Sequence, residues 1–100
     1  MNRHGIVIDD RQIADFCRRH GIRGLRFFGS ILREDFGPDS DVDVLVEFAP
    51  GKAPGWIGFA SLALELERIM GRQVDLRTAA DFSENIRRRV LSEAEVQYAA

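Results

Sequence analysis

A chain of 100 residues fits one domain, read here over residues 1–100, and is too short for a multidomain enzyme; its 45% hydrophobic and 30% charged content is that of a folded globular protein. Sixteen acidic against fourteen basic residues give a net charge of −2, which argues against a module that coats nucleic acid through overall positive charge. No apolar run approaches the roughly 18 residues of a membrane-spanning helix and the first residues do not read as a secretory leader, so a cytoplasmic location without membrane contact is expected. Cys17 is the only cysteine, and a buried apolar role on a helix suits it better than a disulfide or a thiolate metal site.

In chain order, the first predicted helix starts at Asp9 or Asp10 and ends at His20. Aspartate suits its cap, Ile13, Phe16 and Cys17 fall at helical spacing, and Gly21 stops it. A short strand follows over 25–28, ended by Gly29-Ser30, then one or two helical turns over 31–35 and a turn over 36–40. The clearest strand comes next. Val42, Val44 and Val46 share one face, while Asp41, Asp43, Leu45 and Glu47 share the other, because strand side chains alternate. Residues 49–55 are dense in Pro and Gly and read as an exposed loop. A strong helical period over 56–70, carried by Phe59, Leu62, Ala63, Leu66, Ile69 and Met70, ends at Gly71, with Trp56, Phe59 and Leu62 assigned to the core and a partner interface as the alternative for Trp56 beside the Pro/Gly loop. A strand over 73–77 carries Asp75. The rest, from Asp81 to about Tyr98, reads as a helix with Ile86, Val90, Leu91 and Ala94 inward and Arg87-Arg88-Arg89 on a solvated face. Helices and strands alternating in this way predict an α/β domain, a small mixed β-sheet flanked by helices.

The chemistry concentrates in Gly29-Ser30, ten further residues, and Asp41-Val42-Asp43. Two carboxylates at i and i+2 on a strand project from one face, repel each other when unpaired, and together suit a hard divalent cation. If the strand carrying Asp75 pairs beside them, a third carboxylate reaches the same place, and three carboxylates can hold two ions that clamp a phosphoryl group. Gly29-Ser30 supplies close backbone approach, a hydroxyl and N–H donors for phosphate, and Arg33 is placed to meet a phosphate oxygen. The single lysine, Lys52, lacks the glycine spacing of a Walker loop. The run from Asp39 also fails as a calcium loop, with Val44 and Pro50 where glycine and glutamate are required. Gly21-Ile22-Arg23-Gly24 has the form of a KH-domain loop, but a helix stop before a strand explains it better.

These motifs, with Val44-Leu45-Val46 behind them and the later Asp75, resemble the signature of the DNA polymerase beta type nucleotidyltransferase superfamily, and the short length is similar to its minimal nucleotidyltransferase (MNT) family. The resemblance covers nearly the whole chain. It implies the polymerase-beta-like fold, ATP as substrate and two Mg²⁺ ions, with Asp41 and Asp43 ligating both ions and Asp75 binding one and activating the attacking hydroxyl. It further implies a HEPN-domain ribonuclease toxin as partner, neutralised when AMP is transferred to a tyrosine on it. The chain departs from the family pattern after Ser30, with Leu32 in place of a small residue and Glu34 in place of glycine around a retained Arg33. Two other readings stay open at this point: an antitoxin that masks its toxin by contact alone, and a transferase acting on RNA or a small molecule.

Overall fold

The computed structural model describes residues 2–100. A two-stranded ribbon comes first, β1 (Asn2–Arg3) against β2 (Ile6–Val7), closed by His4 and Gly5 with φ of 55° and 78°. Positive φ at both central residues is the tight hairpin turn whose twist matches that of paired strands. Helix α1 (Asp10–His20) is capped by the Asp9 carboxylate, which accepts from the Arg11 amide at 2.9 Å, and ends at Gly21. Strand β3 (Ile22–Phe28) runs into a 3₁₀ turn over Gly29–Leu32, and β4 (Val42–Phe48) follows the turn over residues 36–40. Helix α2 (Trp56–Met70), β5 (Val74–Arg77), a 3₁₀ turn over Ala79–Asp81, α3 (Glu84–Glu93) and β6 (Glu95–Ala99) complete the chain.

The main sheet has the order β5-β4-β3-β6, with β4 and β5 parallel and the other pairs antiparallel, so the expected small mixed sheet is present. One of its faces makes the core. Leu25 and Phe27 of β3, Val42, Val44 and Val46 of β4 and Leu76 of β5 pack with Phe16 and Cys17 of α1 and Leu62, Leu66 and Met70 of α2. Leu45 is buried as well but lies outside that cluster, which confirms the alternation read from the sequence. The other face carries Asp43, Leu45 and Glu47. No helix among the described residues is long and apolar enough to cross a membrane.

Three expectations are corrected. The last helix does not run to Tyr98: it stops at Glu93, and residues 95–99 form β6, where Val96 and Tyr98 take strand spacing beside β3. Ile86 and Leu91 are 53% and 40% exposed instead of facing the core, and no residue of α3 is fully buried. Trp56 is 94% exposed, and the buried face of α2 begins only at Leu62, which is buried as expected. The N-terminal ribbon was not anticipated at all.

Candidate active site

The site grows from the end of β3. Gly29 has a φ of 72°, and a side chain there would place its first carbon 2.1 Å from Oδ2 of Asp43. The Asp43 carboxylate therefore occupies the space a side chain at position 29 would fill, which is why only glycine fits. The Ser30 backbone N–H donates to this carboxylate. The 3₁₀ turn that follows holds Ile31 in the core, fixing the direction in which Gly29 and Ser30 face.

Asp41 and Asp43 enter from the other side. The turn before β4 is closed by the Gly37 amide donating to Ser40 Oγ at 3.0 Å and the Ser40 amide donating to the Gly37 carbonyl at 3.1 Å. Arg72 ties the same turn to the start of β5. Its Nη2 donates to the carbonyls of Gly37 and Ser40 at 2.7 and 2.8 Å, and its guanidinium lies 4.6 Å over the Phe36 ring. Sequence reading missed this arginine, whose only signal was a cation directly after a helix-stopping glycine. Asp41 is exposed just outside β4, and Asp43, inside the strand, is half-buried.

The parallel register sets Asp43 of β4 beside Asp75 of β5, as the sequence analysis required. Burial pushes the Asp43 carboxyl above its usual range, the negative charges of Asp75 and Asp41 push it further, and the Ser30 amide and Arg77 pull the other way. The positive influence on this carboxylate is too small to offset burial and its acidic neighbours. Arg77, two residues along β5 and so on the same face, supplies it: its Nε donates to Asp75 Oδ1 at 2.9 Å and its Nη2 to Oδ2 at 3.3 Å. This fork holds the guanidinium pKa above its ordinary value. Sequence reading did not single out Arg77 either.

Donor chemistry fits magnesium, because the converging groups are hard carboxylate oxygens and the most buried of them is short of positive charge. Among the described residues no three such groups stand in ready coordination, Asp75 being turned onto Arg77. Arg33 does not join the carboxylates. Its guanidinium donates to Asp35 at 3.1 Å and is 60% exposed, and the cation that acts on Asp43 is Arg77.

The fold and the face that carries these carboxylates define a nucleotidyltransferase. The nucleotidyltransferase domain family matches residues 10–96, and the chain belongs to it and is an enzyme of that class. It is 34% identical over 84 residues to a candidate protein adenylyltransferase of Methanocaldococcus jannaschii, covering 84% of this chain and 88% of that protein. It is 37% identical over 75 residues to the protein adenylyltransferase MntA of Thermococcus cleftensis, covering 75% and 74%. Among solved structures, a toxin–antitoxin complex with AMP-PNP superposes with a TM-score of 0.73 at 19% identity over 93% of this chain and 75% of that one. The Shewanella oneidensis MNT antitoxin bound to a tri-AMPylated HEPN toxin gives 0.65 at 19% identity over 91% and 70%. These two show that the fold is shared.

Proposed function

We propose that this chain is an antitoxin that transfers AMP from ATP to a tyrosine hydroxyl of a HEPN-domain ribonuclease toxin in the cytoplasm, neutralising it. The observation that carries the reading is the Asp43 carboxylate seated in the cradle of Gly29 with Asp75 in register beside it. The protein adenylyltransferases among its relatives support a protein acceptor, and the structural neighbours with AMP-PNP and with an AMPylated HEPN toxin support ATP and that partner.

Asp41, Asp43 and Asp75 would hold two Mg²⁺ ions, which supply charge neutralisation for the triphosphate when bound. The chain's own groups then divide the work. Gly29 lets the backbone approach the phosphates, and the Ser30 hydroxyl donates to a phosphate oxygen while its amide stays on Asp43. Arg33, exposed on the rim, reaches an outer phosphate by leaving Asp35. Asp75 orients the acceptor hydroxyl and takes its proton once Arg77 yields one carboxylate oxygen. The acceptor oxygen forms a bond to the α-phosphorus, the bond from phosphorus to the pyrophosphate oxygen breaks, and pyrophosphate leaves. Residues 1–100 hold the nucleotide half of the site, and the acceptor comes from the partner.

The test is intact-mass analysis of a HEPN-domain protein from the same source after incubation with this chain, ATP and Mg²⁺. One or more AMP increments are expected, lost when Asp41→Asn and Asp43→Asn are combined. Undiminished labelling by the double variant overturns the assignment.

A further inference from the structure

A groove of about 380 Å³ runs along the carboxylate face, lined by Arg26, Leu45, Phe48, Ala79, Ala80 and Leu91 among others. Its place relative to the carboxylates follows from the strand register. Phe28 lies opposite Asp43 and Arg26 opposite Leu45, so Arg26 and Leu45 stand next along the sheet from Asp43. Gly29 and Ser30 lie on the other side of Asp43, at the end of β3. Transfer of a nucleotidyl group places the attacking and leaving oxygens roughly in line across phosphorus. With the leaving pyrophosphate toward Gly29 and Ser30, the acceptor arrives over the groove.

Arg26 is the unusual residue in it. Six arginines pair with carboxylates, namely Arg3, Arg19, Arg23, Arg33, Arg77 and Arg88, and Arg72 and Arg87 donate to backbone carbonyls. Arg26 has no hydrogen-bond or ion-pair partner among the described residues and is half-buried; the other arginines without one are exposed. Glu47 and Thr78 also line the groove, Glu47 being engaged by Arg23, and the rest of the lining is mainly apolar. A partly desolvated guanidinium without an anion of its own in such a groove is complementary to an aromatic or apolar group that carries a negative charge.

We propose that this groove is the acceptor subsite and that Arg26 contacts the phosphodiester of an acceptor already carrying one nucleotide, so that it governs how many nucleotides are added. This rests on the transfer reaction proposed above. In a second transfer, a ribose hydroxyl of the attached nucleotide bonds through oxygen to the α-phosphorus of a fresh ATP. The bond from that phosphorus to pyrophosphate breaks, pyrophosphate leaves with the electron pair, and the hydroxyl proton passes to Asp75.

The experiment follows the mass ladder of the same HEPN-domain protein over time with ATP and Mg²⁺, using wild type, Arg26→Gln, Arg26→Lys and the remote surface control Arg68→Gln. The ratio of second- to first-addition rates is expected to fall about tenfold in Arg26→Gln, the size of one lost charge-assisted contact. Arg26→Lys, which keeps charge without the fork, is expected to fall between, and Arg68→Gln to match wild type. Circular dichroism midpoints establish that the variants are folded, and Arg26→Lys carries the test should the glutamine variant not be. An unchanged ladder, equal slowing of both additions, or a wild type that stops at one AMP overturns the role of Arg26 and leaves the transfer reaction standing. No addition by wild type overturns both.

Discussion

Replacing Gly29 by alanine tests whether the Asp43 carboxylate is held by the space beside a residue without a side chain. Two costs are separable. The backbone at φ 72° becomes strained for any L-residue with a Cβ, worth about 1–2 kcal/mol. The new methyl would also sit 2.1 Å from Asp43 Oδ2, so the carboxylate must move by about 1 Å to restore van der Waals contact. For a domain of this size the backbone cost alone lowers the thermal midpoint by about 4–16 °C. The displacement reduces nucleotidyl transfer by about a hundredfold, the usual penalty for an ångström of misplacement in a reacting group. Urea unfolding gives the first quantity and pyrophosphate release with the HEPN acceptor the second. In an Asp43→Ala background, Gly29→Ala should show the backbone cost only, because the atom it collides with is gone. Wild-type stability and turnover in Gly29→Ala, or equal stability costs in both backgrounds, would refute the reasoning.

Two further outcomes follow from the ionisable groups. Asp43 binds its proton more tightly in the folded chain, so wild type loses stability as pH rises from the ordinary aspartate value of 3.8 through the higher folded value. Without divalent cations, Asp43→Asn is therefore expected to have the higher urea midpoint at pH 7, with the difference vanishing below that ordinary value; a variant less stable at pH 7 would contradict this. Cys17 is buried, and burial pushes its thiol up to about 12 against the smaller opposing influence of Arg18. It should stay unmodified by a thiol-specific disulfide reagent at pH 8 and react fully in denaturing urea, as absorbance of the released thiolate would record.

Wherever hydrophobic period and turn chemistry agreed, local sequence was enough to place an element. Helix α2 spans residues 56–70 as read, because its apolar spacing and terminal glycine define both its face and its end. The three carboxylates were legible for a related reason: alternation puts Asp43 opposite the valines that must be buried, whatever the strand pairs with. What failed depended on contacts across the chain. Residues 95–99 follow a helix without an intervening glycine or proline, and only pairing with β3 shows them to be a strand. Trp56 shares the helical period of buried neighbours, and periodicity carries no information on where along a helix the buried face begins. Arg26, Arg72 and Arg77 were passed over because each acts through geometry, not through a motif. A charge in the middle of Leu25-Arg26-Phe27-Phe28 was the one available sign that this face of β3 is not core.

The exposed indole at position 56 also determines what optical spectroscopy can report. It is the chain's single tryptophan and is 94% exposed, so its emission is that of a hydrated indole in the folded chain and in the unfolded one alike. Intrinsic fluorescence will follow denaturation poorly and must be replaced by circular dichroism. The same property turns Trp56 into a clean sensor, since a blue shift can arise only when something outside the fold covers the first turn of α2.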